Sequence, residues 1–86
     1  MKYTLEFLCW VNRCLFPGDF ERELIEEIGV RENVARGLAV VLDENDRNIL
    51  NVYQGYGLKE NEYKDALDKY LEYMHEKWNE INERIG

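Results

Sequence analysis

The most regular hydrophobic pattern of the chain lies in its last third. Between about residues 59 and 84, apolar side chains recur at steps of four or three positions, giving the set Tyr63, Leu67, Tyr70, Met74, Trp78, Ile81 and Ile85. These steps place them in one stripe on an α-helix, and two consecutive steps of four are typical of a fairly straight helix in a bundle. The pattern therefore predicts a long C-terminal helix of about seven turns whose stripe faces the core.

Shorter helical patterns occupy the first third. Most apolar side chains of residues 3–16 share one broad arc, but Leu5 and Phe16 lie outside it, which predicts a helix buried on more than one side. Pro17 ends this helix, and Asp19 is a suitable N-cap for the next one. The second helix is amphipathic and should stop before Gly29, because glycine is the preferred residue just after a helix.

Residues 38–54 allow two interpretations. Two apolar runs, residues 38–42 and 49–53, flank a polar stretch, as they would in two strands joined by a turn. We favour helices here, because the apolar residues also keep helical spacing. The sequence thus predicts an all-α fold, a compact small bundle of four to five helices forming one domain over residues 1–86. The alternative is an α+β fold with a hairpin at about 38–54.

Composition supports a folded domain and limits its partners. Of the 86 residues, 45% are apolar and 13% aromatic, which is enough for a core and argues against disorder. The net charge is −7, from 18 acidic and 11 basic residues. Affinity for nucleic acid depends on lysines and arginines that neutralise phosphates. We therefore expect no direct nucleic-acid binding and a protein partner with a basic surface.

The back of the predicted C-terminal helix carries a row of acids. Six carboxylates fall within about 120° of each other, opposite the apolar stripe. They are Asp65, Asp68, Glu72, Glu76, Glu80 and Glu83, and they are called the acidic ridge below. Each pair of like charges four residues apart destabilises a helix by a few tenths of a kcal/mol. Only Lys69 interrupts the row of acids. We interpret the ridge as a partner-binding surface that imitates a row of phosphates; the alternative is a solvated face.

Residues 22–38 resemble the helix-turn-helix motif of DNA-binding proteins. The resemblance rests on a glycine-hydrophobic turn, on Val34 in the second helix, and on three possible base readers, Arg31, Asn33 and Arg36. The sequence departs from the motif at Ile25, where alanine is usual, and in being one residue short after the glycine. Four glutamates also lie where DNA would bind. We therefore favour a helix-turn-helix used for protein packing, with a DNA-binding regulator as the alternative.

Residues 53–57 form an aromatic loop with two glycines. Tyr53 and Tyr56 are suitable interface anchors, because tyrosine offers rigid apolar area and one hydrogen bond. The alternative is that both rings pack onto the last helix while the glycines only make the turn.

Side chains suited to catalysis are few. His75 is the only histidine, and with Glu72 it supplies half of a carboxylate metal site, so we interpret it as a surface histidine. On one helix Cys9 and Cys14 would lie about 140° apart, which excludes a disulfide between them. We expect no enzymatic activity, no cofactor and no metal.

The N-terminal apolar run is interrupted by Glu6, Asn12 and Arg13, so it is too short for a membrane span and unlike a signal peptide. Together with free thiols, this predicts a cytoplasmic protein in a reducing compartment, a monomer or homodimer without membrane contact. The function expected is a small acidic protein-binding module, a stoichiometric inhibitor or regulator of a larger nucleic-acid-handling protein. In surface type it is comparable to anti-CRISPR and anti-restriction proteins of viruses and other mobile elements, or to immunity proteins. A structural homo-oligomer subunit is a further alternative.

Overall fold

The computed structural model describes residues 2–15, 19–55 and 57–85, with residue 85 described by its backbone alone. These residues contain no β-strand and five α-helices: α1 (Leu5–Leu15), α2 (Phe20–Glu23), α3 (Glu32–Glu44), α4 (Ile49–Tyr53) and α5 (Asn61–Ile85). One π-helical turn, Leu24–Ile28, directly continues α2. The predicted all-α bundle with a long C-terminal helix is confirmed.

Helix α1 begins at a threonine cap and packs with one face. The Oγ1 atom of Thr4 accepts a hydrogen bond from the backbone N–H of Phe7 at 3.1 Å. Phe7 and Leu8 are buried, and α1 lies against α4 and α5 through this face. Leu5 is 58% exposed, so the prediction that α1 is buried on more than one side is wrong at this residue, while Phe16 lies outside the described residues. The described helices cover only the arc that carries most of the apolar side chains.

The second predicted helix, which consists of α2 and the π-helical turn after it, begins and ends where the sequence predicts. Asp19 caps it, since its Oδ1 atom accepts a hydrogen bond from the N–H of Arg22 at 3.1 Å. Gly29 ends it in the left-handed conformation, with φ at 83°, and donates its N–H to the carbonyl of Leu24. The N–H of Val30 reaches the same carbonyl at 2.9 Å. The last turn of this helix is thus widened into a π-helix, a detail that the amphipathic pattern does not reveal.

The two apolar runs at 38–42 and 49–53 belong to two separate helices, so the hairpin alternative is wrong. Helix α3 runs through Asp43 to Glu44, and a tight turn follows, in which Asp46 and Arg47 have φ values of 58° and 54°. Asn48 then caps α4, because its Oδ1 atom accepts a hydrogen bond from the N–H of Leu50 at 3.0 Å. Two consecutive left-handed residues reverse the chain, and the cap begins a new helix immediately afterwards.

Asn12 of α1 holds α4 in place across the bundle. Its Nδ2 atom donates a hydrogen bond to Oδ1 of Asn48 at 3.0 Å, and its Oδ1 atom accepts one from the N–H of Ile49 at 2.7 Å. The N-terminus of α4 is therefore capped by two asparagines. Asn48 directly precedes the helix, whereas Asn12 lies 37 positions before Ile49, whose N–H it accepts. The polar residue that interrupts the apolar run of α1 thus has a structural role.

Helix α5 supplies one wall of the core. Leu67, Tyr70, Leu71 and Met74 are buried along it. The ring of Tyr70 meets that of Phe20 edge-on, with centroids 4.8 Å apart. Helices α3 and α5 come close where Gly37 faces Tyr63. The contact requires glycine, because a Cβ atom at position 37 would overlap the tyrosine ring. These contacts fix the side of α5 that faces solvent.

The end of α5 extends beyond the other helices. Its 25 residues span about 37 Å, whereas the molecule measures 39 × 24 × 23 Å. Trp78 is only partly buried and Ile81 is 39% exposed, so the predicted stripe does not reach the core at its end. Despite its length, α5 is too polar to cross a membrane, and no other helix in the described parts of the chain is long and apolar enough to do so.

Candidate protein-binding surface

The six acids of the acidic ridge all lie on the solvent side of α5. Each is exposed, and Asp65 and Glu83 at its two ends are about 27 Å apart along the helix. Lys2 lies beside the middle of the ridge, with its Nζ atom 3.6 Å from Oε1 of Glu72. Both side chains of this ion pair are mostly exposed, so the pair contributes little to stability. The ridge presents strong negative charge to solvent along one side of the molecule.

Tyr53 lies beside the first acids of the ridge. It is the last residue of α4 and is half-buried. Together with Asp65 and Asp68 it lines a shallow depression of about 250 Å³. The structure thus brings together three of the predicted partner-binding residues. Tyr56, the other predicted anchor, lies outside the described residues.

A continuous row of aromatic rings follows the same flank of α5, and sequence reasoning missed it as a unit. Neighbouring ring centroids are 5.0–6.1 Å apart. In spatial order, this aromatic row consists of Tyr53, Tyr3, His75, Phe7, Trp78 and Trp10. A signal was available, because positions 3, 7 and 10 recur at helical spacing and so do 75 and 78. What the spacing does not show is that the two sets meet.

His75 belongs to this row and is partly exposed, so it is a surface histidine that also packs against aromatic rings. Its imidazole is half-buried and meets the ring of Phe7 nearly at right angles, with centroids 5.0 Å apart. The ring of Tyr3 lies 5.4 Å away on another side. Among residues 2–15, 19–55 and 57–84, no group of three histidines, cysteines or acids could hold a metal ion. The ring contacts of His75 are with Tyr3 and Phe7.

Tyr3 joins the aromatic row to the acidic ridge. It is buried, and the Nζ atom of Lys2 lies over its ring, 5.6 Å from the centroid. Burial raises the pKa of the Tyr3 phenol, and the nearby carboxylates of Glu72 and Asp68 raise it further, against the opposing charge of Lys2. The phenol is therefore neutral at pH 7, and the Lys2 ammonium makes a cation–π contact with its ring.

The helix-turn-helix resemblance corresponds to real helices, but its arginines face acids. Arg31 forms an ion pair with Glu62 at 2.7 Å. Arg36 pairs with Glu32 one turn earlier and with Glu21 at 3.4 Å. Both guanidinium groups are exposed, so these pairs are weak individually. Nevertheless, the carboxylates surround the two arginines with the charge that repels a phosphate backbone.

The two cysteines of the chain have free thiols. Cys9 is exposed, whereas Cys14 is half-buried. Burial raises the pKa of the Cys14 thiol, and the carboxylate of Glu23 adds to the effect. Because the thiolate is the reactive form, Cys14 is a poorer nucleophile than an unperturbed cysteine.

Comparison with known proteins gives no relative, since no protein-family model, curated protein or solved structure matches the chain. The function has to be inferred from the surface itself. Its two distinctive parts, the acidic ridge and the aromatic row, run side by side along α5.

Proposed function

We propose that the protein is a stoichiometric binding protein whose acidic ridge docks onto the basic surface of a larger, nucleic-acid-handling protein. The observation that carries this proposal is the row of six exposed carboxylates along one side of α5. An ordinary solvent face would interleave lysines, because like charges four residues apart destabilise a helix. A row that keeps its acids despite this cost is suited to a complementary row of cations.

The two parts of the surface would act differently in such a complex. The ridge would accelerate encounter with a basic groove and fix the orientation of the partner, as opposite charges generally do. The partly exposed rings of Tyr53, His75 and Trp78 would supply apolar contact area and faces for cation–π contacts. An interface of this kind combines steering by charge with anchoring by aromatic rings.

Two classes of inhibitor would use this surface. One comprises anti-CRISPR and anti-restriction proteins, which would occupy a groove meant for nucleic acid; the other comprises immunity proteins that cover a basic toxin. In either role the protein acts without catalysis. We place it in the cytoplasm, where its free thiols would remain reduced.

The proposal is tested by reversing charge in the middle of the ridge. In the triple variant Glu72→Lys, Glu76→Lys and Glu80→Lys, we expect partner binding to weaken about tenfold or more, mostly through slower association. Folding should be unchanged or slightly improved, because like-charge pairs disappear. The partner is first captured from a lysate with the wild-type protein and identified by mass spectrometry. Binding is then measured by surface plasmon resonance at several salt concentrations.

A matched control carries the same change in net charge on other elements. Glu27, Glu44 and Glu60 are exposed and lie outside the ridge, so their triple reversal to lysine should weaken binding much less. Equal losses for the two triple variants would mean that only net charge matters. A ridge variant that binds and inhibits normally would leave the ridge as a solvated face.

We also expect no binding of duplex DNA at physiological salt. The net charge of −7 repels phosphates, and Arg31 and Arg36 are surrounded by carboxylates. Fluorescence anisotropy with a labelled duplex is the measurement. Micromolar binding that weakens steeply with salt and disappears in Arg31→Ala and Arg36→Ala would instead favour the DNA-binding regulator.

A further inference from the structure

A notch opens beside the middle of the acidic ridge. It is a depression of about 370 Å³ between α5 and the segment that precedes α1, and it is lined by Lys2, Tyr3, Glu72, His75 and Glu76. Its walls thus combine two aromatic rings with two carboxylates. Ring faces attract cations through their quadrupole, and carboxylates attract them by charge and hydrogen bonding. The chemistry of the notch is that of a seat for a positively charged side chain.

The notch already holds a cation that belongs to the chain. The ammonium group of Lys2 lies 5.6 Å from the ring centroid of Tyr3 and 3.6 Å from Oε1 of Glu72. It therefore makes both kinds of contact that the notch offers. The Lys2 side chain is nevertheless 67% exposed, and an exposed ion pair of this kind is weak. A cation with better geometry can take its place.

We propose that the notch receives one arginine side chain of the basic partner, and that Lys2 occupies the same seat until the partner displaces it. This inference rests on the proposed function, because it names the side chain that the ridge would recognise. A guanidinium fits better than an ammonium for two reasons. It is planar and stacks on aromatic faces, and its paired N–H groups match a carboxylate bidentately. It also loses its hydration more readily than an ammonium does.

Displacement of Lys2 changes what the notch exposes. Tyr3 is only 6% exposed, because its ring also packs against those of Phe7, Tyr53 and His75. When Lys2 leaves, Glu72 loses its ion-pair partner and can accept hydrogen bonds from the guanidinium, while Tyr3 and His75 line the vacated seat. Lys2 thus acts as a competitor for the arginine, and its removal should strengthen binding.

The test measures calorimetrically the binding of acetylated hexa-arginine and hexa-lysine peptides to the full chain and to four single variants. Lys2→Ala should tighten binding of hexa-arginine about three- to fivefold, since an internal competitor is removed. Lys69→Ala is the matched control, because it removes the same charge from the ridge away from the notch; we expect a change of less than about twofold. Glu72→Gln should weaken hexa-arginine binding more than Glu80→Gln does, and should also reduce the preference for arginine over lysine. All four positions are exposed, so folding is preserved.

The outcomes separate the notch from the ridge. Equal effects of Lys2→Ala and Lys69→Ala would overturn the proposal that the notch receives an arginine. Equal affinity of the wild-type protein for hexa-arginine and hexa-lysine would overturn it too. If the triple ridge variant still weakens hexa-arginine binding in either case, the proposed function stands without the notch. Hexa-arginine binding that the triple variant leaves unchanged would overturn the acidic ridge as the binding surface. A wild-type protein that does not bind hexa-arginine at low salt would overturn both.

Discussion

Replacing Phe7 by alanine should lower the free energy of unfolding by about 3–5 kcal/mol. The Phe7 side chain is 1% exposed, and its ring lies against those of Tyr3, Trp10, His75 and Trp78. Truncation would leave a cavity in the centre of the aromatic row. For a domain whose total stability is typically about 5–15 kcal/mol, this is a large share. Urea denaturation followed by tryptophan fluorescence measures the change.

Leu5→Ala is the matched control for this variant. Leu5 lies on the same helix, two residues earlier, but it is 58% exposed. We expect its truncation to change the free energy of unfolding by no more than about 0.5 kcal/mol. Similar losses for the two variants would contradict the burial of Phe7 at the junction of α1 and α5.

The second large effect is expected at a polar residue. Asn12→Ala should destabilise the protein by about 2–3 kcal/mol, because two partly buried hydrogen bonds disappear and the N–H of Ile49 loses its acceptor. Helix α4 has only five residues and depends on tertiary contacts for its stability. Amide hydrogen exchange at Ile49 and Leu50 should therefore accelerate more than exchange in α3.

Two further variants define the role of the Asn12 side chain. Asn12→Asp retains the acceptor for the N–H of Ile49 but loses the donor to Asn48, so it should be intermediate. Arg13→Ala, at the exposed neighbouring position, should have little effect. If all three variants had the stability of the wild-type protein, the contact between α1 and α4 would not be what holds α4.

The longest helix is the part of the fold that the sequence predicts best. Its apolar residues keep helical spacing over several turns, and that period determines both the core side and the solvent side. The same period places the ridge opposite the core, and the structure confirms that Asp65, Glu72 and Glu83 are exposed. Prediction is less accurate at the helix end, where the stripe continues at Ile81 although the described helices no longer cover it. Spacing gives the direction of a side chain but not the presence of a neighbour.

Residues 38–54 show why a short apolar run is ambiguous. Within the run at 38–42 every position is apolar, so the run by itself shows neither a period of 3.6 nor a period of two, and only its spacing from Val34 favours a helix. What decides between helix and hairpin is the continuation of α3 to Glu44 and the double cap on Ile49 and Leu50, which begins α4 directly after the turn. One of those caps comes from Asn12. A local reading of the sequence cannot include a hydrogen bond from another helix.

The sequence does not predict that the two sets of rings in the aromatic row meet, for the same physical reason. Tyr3 and His75 are 72 positions apart, and only the packing of α1 on α5 brings their rings within 5.4 Å. Tyr53 reaches the ridge because α4 is tied to α1. The acidic ridge of the proposed binding surface can thus be predicted from α5 alone. The aromatic row depends on the packing of α1, α4 and α5 against one another.

Because α5 extends past the other helices, the acidic ridge has two parts, one on helical turns that pack against the core and one on turns that do not. Asp65 to Glu76 lie on turns anchored by buried neighbours such as Leu71 and Met74. Glu80 and Glu83 lie on turns whose described side chains are all exposed, and unsupported helical turns fray. A partner that binds this outer part must offset the entropy lost when these turns become ordered. Glu80 and Glu83 would therefore contribute less affinity per charge. In the proposed complex they would instead extend the reach of the surface, as a compliant tip that captures a cation before the rigid part aligns.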